Sequence, residues 1–398
     1  MPNLPLEGIL VVDMATLLAG PVCTTFLGDF GATVIKVERP GLGDAMRAAG
    51  VVPDGRHTAW LNEGRNKKSI TLDLHMAEGQ ALAHRLAAKA DVMVLNFRPG
   101  KAESWGIGPE DLHRTNPDLI LLLVSAYGQT GPYRRRGGFD RTASAFAGLT
   151  YVTGFPDGPP VRSGYAMIDY MTAYLGAFGV MTALYNRAVN KAGGEVIDLS
   201  LVEAAFRSSE SALTDFGATG QVRGRTGNRN PGVVPADDFE TKDGRVLVIN
   251  AGVENLWRRL VKALNMPELL EDPRFGPRAA RNENQEALYK IIAAWVHERT
   301  AEEARRILDE AEVPADFIQN IADVAQDAHM RFREAVLEVD DPDKGKVLVP
   351  GVFPKLSKHP GRVRHLGLRL GEHNQEIYGG LLGLAPEEMA ALKEKGVI

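Results

Sequence analysis

Short apolar runs alternate with helix-spaced segments over the first third of the chain, and this alternation restricts the architecture more than any single motif does. Ile9 to Met14 is a run of buried-strand type, Ala19 to Gly31 carries small and apolar residues at helical spacing, and Ala32 to Val37 is again strand-like. A helix from about Ala77 to Ala90, a strand Val92 to Asn96 and a strongly apolar strand Leu119 to Ser125 continue the pattern. Strand, helix, strand in this order predicts a parallel sheet covered by helices on both faces. Ligands of such sheets bind at the carboxyl ends of strands, so the segments after Val37, Leu95 and Ser125 are where a site is expected.

Ile168 to Ala188 reads as one long helix with an apolar stripe of Met171, Ala173, Tyr174, Ala177, Phe178 and Met181. A strand Val196 to Leu199 and a helix from Val202 follow, and Gly220 to Asp238, rich in Gly, Asn, Arg and Pro, reads as a loop or linker. Beyond it the pattern predicts a strand Val246 to Asn250 and helices Asn255 to Leu264 and Glu283 to Glu298. Thr300 with Glu303 has the form of a capping box. Two helices, near Gln375 to Leu382 and Pro386 to Lys395, end the chain. With 398 residues, two domains are expected.

Composition removes several classes. A net charge of −5 without an extended basic block argues against a general nucleic-acid binder. Local basic spots remain at Lys67-Lys68 and Arg134-Arg135-Arg136, enough for phosphate recognition. The longest apolar stretches are broken by Gly, Asp or Arg before bilayer-spanning length, so no membrane association is expected. The N-terminus lacks the basic start and apolar run of a signal peptide. Cys23 is the only cysteine, which rules out an intramolecular disulfide and a cysteine-based zinc cluster and fits a reducing, cytoplasmic setting.

There is no Gly-x-Gly-x-x-Gly after the first strand, no Gly-Lys-Ser/Thr loop, no Gly-x-Ser-x-Gly elbow and no His-Glu-x-x-His. Ala19-Gly20-Pro21 opens the first helix, which is either an anion-binding N-terminus or a simple tight turn. Asp169 follows an apolar run and precedes a nearly uncharged helix; a carboxylate there is costly to ionise unless partnered. It is either a helix cap, the commoner role, or a functional acid. Asp140, beside the triple Arg, reads as a solvated ion pair.

In their order the segments resemble the class III CoA-transferase family, the formyl-CoA and carnitine CoA-transferase group, which also includes α-methylacyl-CoA racemases. The resemblance runs from Leu6 to Ile398. It is carried by Leu6-Glu-Gly-Ile-Leu-Val-Val-Asp13, Ala19-Gly-Pro21, Leu27-Gly-Asp-Phe-Gly-Ala-Thr-Val-Ile-Lys-Val-Glu-Arg39, Asn66-Lys-Lys-Ser-Ile-Thr-Leu-Asp-Leu74, Asn96-Phe-Arg-Pro-Gly100, Ser125-Ala-Tyr-Gly-Gln-Thr-Gly-Pro-Tyr133 and the ending Gly371-Glu-His to Gly396-Val-Ile. It implies an α/β fold: a Rossmann-like large domain with a parallel sheet formed by both chain ends (1–220 and 321–398), plus a smaller α+β domain (221–320), in an interlocked homodimer. It also implies CoA transfer between carboxylic acids with Asp169 as nucleophile; that the donor is succinyl-CoA or a similar dicarboxylyl-CoA is suggested separately, by Arg162 and Arg229 as groups able to hold a remote carboxylate. CoA would lie against Leu18, Ala19, Arg39, Leu72, Asp73, Leu74, His75, Asn96, Phe97 and Arg98, its thioester end near Gly137, Gly138, Phe139 and Asp140. No cofactor is implied, because the CoA thioester is itself a substrate.

Two departures from the family pattern stand out. Ser104 occupies a place where relatives often carry an Arg, so one phosphate contact must come from elsewhere. Gly227-Asn-Arg-Asn-Pro-Gly232 replaces a run of consecutive glycines, which argues against oxalate or formate as substrate. Asn228 in this segment is a candidate lid residue, with an interdomain linker as the alternative. Arg229 and Arg162 are candidates to hold a remote substrate carboxylate. A racemase acting at C2 is disfavoured because Phe139 stands where racemases present a His, and phenylalanine cannot transfer a proton. A non-catalytic CoA-binding protein is the other alternative, against which the intact Asp169 argues.

Overall fold

A computed structural model describes residues 3–51, 57–230 and 232–398. Met1, Pro2 and Pro231, the last inside the Gly227–Gly232 run, lie outside the described residues. The chain divides into two compact units, one of residues 1–149, 162–214 and 328–398, the other of residues 150–161 and 215–327.

Six parallel strands form the first unit's sheet: β1 (Leu10–Asp13), β2 (Thr33–Glu38), β3 (Lys67–Thr71), β4 (Val92–Leu95), β5 (Ile120–Ser125) and β6 (Glu195–Ser200), in the order β3-β2-β1-β4-β5-β6. Both faces of the central strands are dry, so they are apolar at successive positions. Val11, Val34, Val92, Ile120 and Leu122 point into one core, while Val12, Ile35, Met93, Leu121 and Leu123 point into the other. Helix α1 (Ala19–Asp29) covers the first face, and α2 (Ala77–Ala87) covers the second. Two further helices, α3 (Asp140–Phe146) and α4 (Met167–Asn190), and a short α5 (Leu201–Phe206) complete the first face.

The 24-residue α4 is long and apolar enough to cross a membrane by length and composition alone. This corrects the expectation that no apolar stretch reaches that length: Gly176 and Gly179 interrupt the run of large side chains without interrupting the helix. Here the helix buries Ile168, Thr172, Ala173, Gly176, Val180, Ala183 and Leu184. Gly176 lets the backbones close in, since a Cβ there would sit 3.1 Å from Leu122 and 3.3 Å from the Cys23 sulfur. Tyr174 stacks on Phe26 of α1 at 4.9 Å.

The second unit has its own core around Trp257, Leu260, Phe275, Leu288 and Ile292. Its sheet of β7 (Ala236–Glu240), β8 (Val246–Asn250) and β9 (Ala315–Phe317) is antiparallel. Helices α6 (Glu254–Leu264), α7 (Gln285–His297) and α8 (Ala301–Glu310) pack on it. The Thr300–Glu303 capping box is formed in both directions. Residues 150–161 cluster with this middle unit, where the sequence reading placed them in the large domain. The return to the first unit adds a hairpin, β10 (Val336–Asp341) and β11 (Gly345–Pro350). The chain end is part of the large core: Val397 and Ile398 are buried in it, and Asp73 N–H donates to the Val397 carbonyl at 2.8 Å.

Candidate active site

The strand order reverses between β1 and β4, and a crevice opens at such a point because the loops leaving the two strands turn to opposite faces. A cavity of ≈ 480 Å³ lies there. Its walls are Thr16 to Ala19 beyond β1, Asn96 to Pro99 beyond β4, Val124 to Ala126 of β5 and its exit, Arg136 to Phe139, Thr142, Asp169 and Leu201.

The loop after β1 is clamped in place. Thr16 N–H donates to Asn96 Oδ1 at 2.8 Å, and Asn96 Nδ2 donates to the Thr16 carbonyl at 2.7 Å. Leu17 adopts a left-handed φ of 66°, strained for a residue with a Cβ, and its N–H is held by Asp44 Oδ1 at 3.1 Å. Beneath the loop lies a fully buried charge cluster. Lys36 meets Asp44 at 3.0 Å and Asp13 at 3.8 Å and donates to the Ala15 carbonyl. Lys67 meets Asp13 at 3.0 Å and the Pro21 carbonyl at 2.6 Å. Burial works against the Asp13 carboxylate, but the two lysines outweigh it and hold its pKa below the usual range. Lys67 is therefore a structural charge, not the phosphate-facing one expected from sequence. Lys68 is paired with Glu376.

Asp169 is the third residue of α4 and reaches the cavity. It does not cap its helix. Asp140 does, its Oδ2 accepting Ile168 N–H at 2.7 Å and Asp169 N–H at 3.4 Å. This corrects the solvated-ion-pair reading of Asp140. Partial burial, and secondarily the Asp140 charge, push the Asp169 carboxyl up to about 6. Cys23 is no rival nucleophile: burial and the Asp13 charge push its thiol to about 12, so it stays protonated.

Of the residues singled out from sequence, Leu18, Ala19, Asn96, Phe97, Arg98, Gly137, Gly138, Phe139 and Asp169 meet on this one cavity. Gly138 is needed for the fit, since a Cβ would lie 2.7 Å from Ala126 Cβ, whereas at Gly137 the near atom is Arg98 Nη2 at 2.8 Å, the free end of a flexible side chain. Asn96 spends its side chain on Thr16. Arg39, Asp73 and His75 lie off the cavity wall, with His75 Nδ1 2.8 Å from Asp73 Oδ1 and its ring 5.0 Å from Trp105, which in turn meets Phe97. Leu72 and Leu74 are core side chains, leaving only their backbones for a ligand.

Asn228 and Arg229 belong to the other unit. Asn228 donates to Asp238 at 2.6 Å, and Arg229 is paired with Asp237 at 2.9 Å and with Glu286. The guanidinium expected to await a substrate carboxylate is already taken by two acids. The sequence reading missed Thr16, Leu17, Ser125 and Thr142 as cavity residues. Arg136 was visible only as part of a basic triplet; it packs over Tyr133 at 4.7 Å and lines the cavity beside Arg98. Among the described residues no cluster of three or more His, Cys, Asp or Glu could hold a metal ion.

A doubly wound sheet with a carboxylate-bearing cavity at its reversal point defines the class, and the comparisons narrow it. The sequence profile of CoA-transferase family III matches residues 6–374, and the chain belongs to that family. It is 43% identical over 398 residues to a Succinyl-CoA--D-citramalate CoA-transferase of Chloroflexus aurantiacus, covering 100% of this chain and 99% of that one. It is 35% identical over 395 residues to a Succinyl-CoA:glutarate CoA-transferase of Mus musculus, covering 99% and 90%. The crystal structure of a CAIB/BAIF family protein from Brucella suis matches with a TM-score of 0.85 at 31% identity, covering 96% and 100%. The protein is a class III CoA-transferase.

Proposed function

We propose that this enzyme moves CoA from succinyl-CoA, or a similar dicarboxylyl-CoA, to a second carboxylic acid, with Asp169 as covalent nucleophile. The observation that carries this reading is the placement of Asp169, a part-buried carboxylate of raised pKa, on the cavity at the sheet's reversal point. The relatives named for citramalate and glutarate both use succinyl-CoA, which supports a dicarboxylyl donor.

Asp169 attacks the thioester carbonyl, forming a mixed anhydride and expelling CoA thiolate. The thiolate then attacks the aspartyl carbonyl of the anhydride, giving an aspartyl-CoA thioester and freeing the donor acid. The acceptor carboxylate attacks that thioester, forming a second anhydride and again expelling thiolate. The thiolate takes the acceptor's acyl group and leaves Asp169 as it began. The route divides one difficult exchange into acyl transfers between similar leaving groups. The backbone N–H groups at Leu18 and Ala19, where α1 begins on the cavity wall, would donate to the developing oxyanion. Arg98 and Arg136 supply positive charge for the CoA phosphates, with Arg136 standing in for the arginine missing at Ser104.

The working form we infer is a homodimer. Tyr174, Phe178 and Tyr185 on α4 are 58%, 70% and 66% exposed, and a second copy is the occupant that would bury them. Sedimentation velocity tests that state.

The covalent step is tested by incubating the enzyme with labelled acyl-CoA and no acceptor, then seeking a hydroxylamine-sensitive adduct on Asp169. Asp169→Asn should form none and lose exchange activity. Full-speed thioester exchange by that variant would end the proposal.

A further inference from the structure

Buried hydroxyls in folded proteins nearly always have a hydrogen-bond partner. Ser125, at the end of β5, is 8% exposed; its Oγ is buried and has no partner among the described residues. The residue lines the cavity. Its neighbours sharpen the contrast. Ser200, paired with Ser125 across β5 and β6, uses its Oγ twice, donating to the Ala126 carbonyl and accepting Glu203 N–H, each at 3.2 Å. Thr142, another hydroxyl on the cavity, donates to the Phe139 carbonyl at 2.9 Å and accepts the Phe139 N–H at 2.8 Å. Among the described residues Ser125 carries a buried hydroxyl on the cavity with no acceptor for its proton.

Its place along the cavity identifies the acceptor. The β4–β5 pairing ends with Leu95 beside Leu123, and two residues further along each chain Phe97 and Ser125 both line the cavity. Arg98, proposed above to meet the phosphates, follows Phe97 directly, whereas Asp169 stands on a different element, α4. Between the phosphates and the sulfur, CoA is an uncharged arm whose only strong acceptors are amide carbonyls. We propose that Ser125 Oγ–H donates to an amide carbonyl of the pantetheine arm. It is thus a binding residue shared by every acyl-CoA this enzyme uses. The assignment rests on the CoA-transferase reading above. Because the arm does not react, the bond is made equally in the ground and transition states and should act on affinity alone.

The test compares the full-length enzyme with Ser125→Ala, using titration calorimetry with free CoA and initial rates with succinyl-CoA and a dicarboxylic acceptor. Loss of one neutral hydrogen bond should raise the Kd for CoA and the KM for the acyl-CoA together by about 3- to 10-fold. The kcat should stay within about twofold, and the acceptor KM should not move. The melting temperature should hold or rise, since the variant removes an unpaired buried hydroxyl. An unchanged Kd overturns the assignment, whether kcat falls (a role at the reacting carbonyl) or the melting temperature falls (a structural hydroxyl). Ser125→Cys, close in size and a weaker donor, should bind CoA with intermediate affinity, and it carries the test if the alanine variant fails to fold. Wild-type enzyme that binds no CoA would instead overturn the transferase reading itself.

Discussion

The carboxylate of Asp140 accepts the backbone N–H groups of Ile168 and Asp169, at 2.7 and 3.4 Å, so one acid caps the helix that presents the other. The free N–H groups of a helix start normally favour a nearby carboxylate. Here Asp140 takes that benefit for itself and adds a like charge beside Asp169. With partial burial acting first, the Asp169 carboxyl rises to about 6. It is ionised at neutral pH but only modestly stabilised as an anion, which suits a group that must surrender its charge to an acyl carbon.

The rate should therefore fall on the acid side with an apparent pKa near 6, since a protonated carboxyl cannot attack the thioester. Asp140→Asn keeps an oxygen to accept the Ile168 N–H but removes the charge, so the acid limb should move to lower pH. The profile of kcat/KM against pH for both enzymes decides it. Superimposable limbs would mean that the Asp140 charge does not act on Asp169.

A pKa raised on folding, from 3.8 to about 6, means the folded state prefers the protonated acid. The stability this supplies is complete below about pH 4 and lost as pH rises through 6, so at pH 7.5 the ionised Asp169 is a net cost. Allowing for its partial exposure, Asp169→Asn should recover about 1–2 kcal/mol there, or roughly 2–4 °C in melting temperature. At pH 4 the gain should vanish. Thermal melts at the two pH values read the difference directly, against the expected loss of turnover.

Local pattern made the sheet legible, because a strand buried on both faces carries apolar residues at successive positions, as the Val11–Val12, Val34–Ile35, Val92–Leu95 and Ile120–Val124 runs of β1, β2, β4 and β5 do. The element starts bearing Leu18 and Asp169 were visible for the same reason. What stayed hidden are pairings between residues far apart in the chain. Lys67 and Lys68 look alike as neighbours, yet one is buried against Asp13, 54 positions away, and the other meets Glu376. Asn96 braces Thr16 across 80 positions, and Arg229 is taken by Glu286 across 57. No periodicity encodes a partner at that separation. The same applies to Asp140, whose adjacent arginines suggested ion pairs when its partner was a helix start 28 residues on.

Lys36 is completely buried between Asp44 and Asp13 while it donates to the Ala15 carbonyl. Lys36→Met would keep much of the side-chain volume but leave Asp44 without its lysine and Asp13 with Lys67 alone. Breaking such a cluster on one side costs about 3–5 kcal/mol, because the remaining charge is uncompensated. The denaturation midpoint in urea should drop accordingly. A change within about 0.5 kcal/mol, the range of ordinary surface substitutions, would contradict the placement of this cluster.

Gly138 sits where the chain between β5 and α3 crosses close above the end of β5. A Cβ at this position would stand 2.7 Å from Ala126 Cβ and 3.1 Å from Thr142 Oγ1, and neither is the far end of a flexible side chain. Gly138→Ala must therefore displace residues 137–139, which form one wall of the cavity. Overpacking of this kind costs about 1–3 kcal/mol, tolerable for the fold, but the displaced wall should weaken CoA binding by about tenfold or more. Gly217→Ala is the control: it has open space around its Cβ, and alanine favours its helix, so stability should hold or improve with affinity unchanged. Calorimetric titration of both variants with CoA separates a shaped wall from a loop that merely passes by. Equal affinities would show that Gly138 is not needed for the cavity's form.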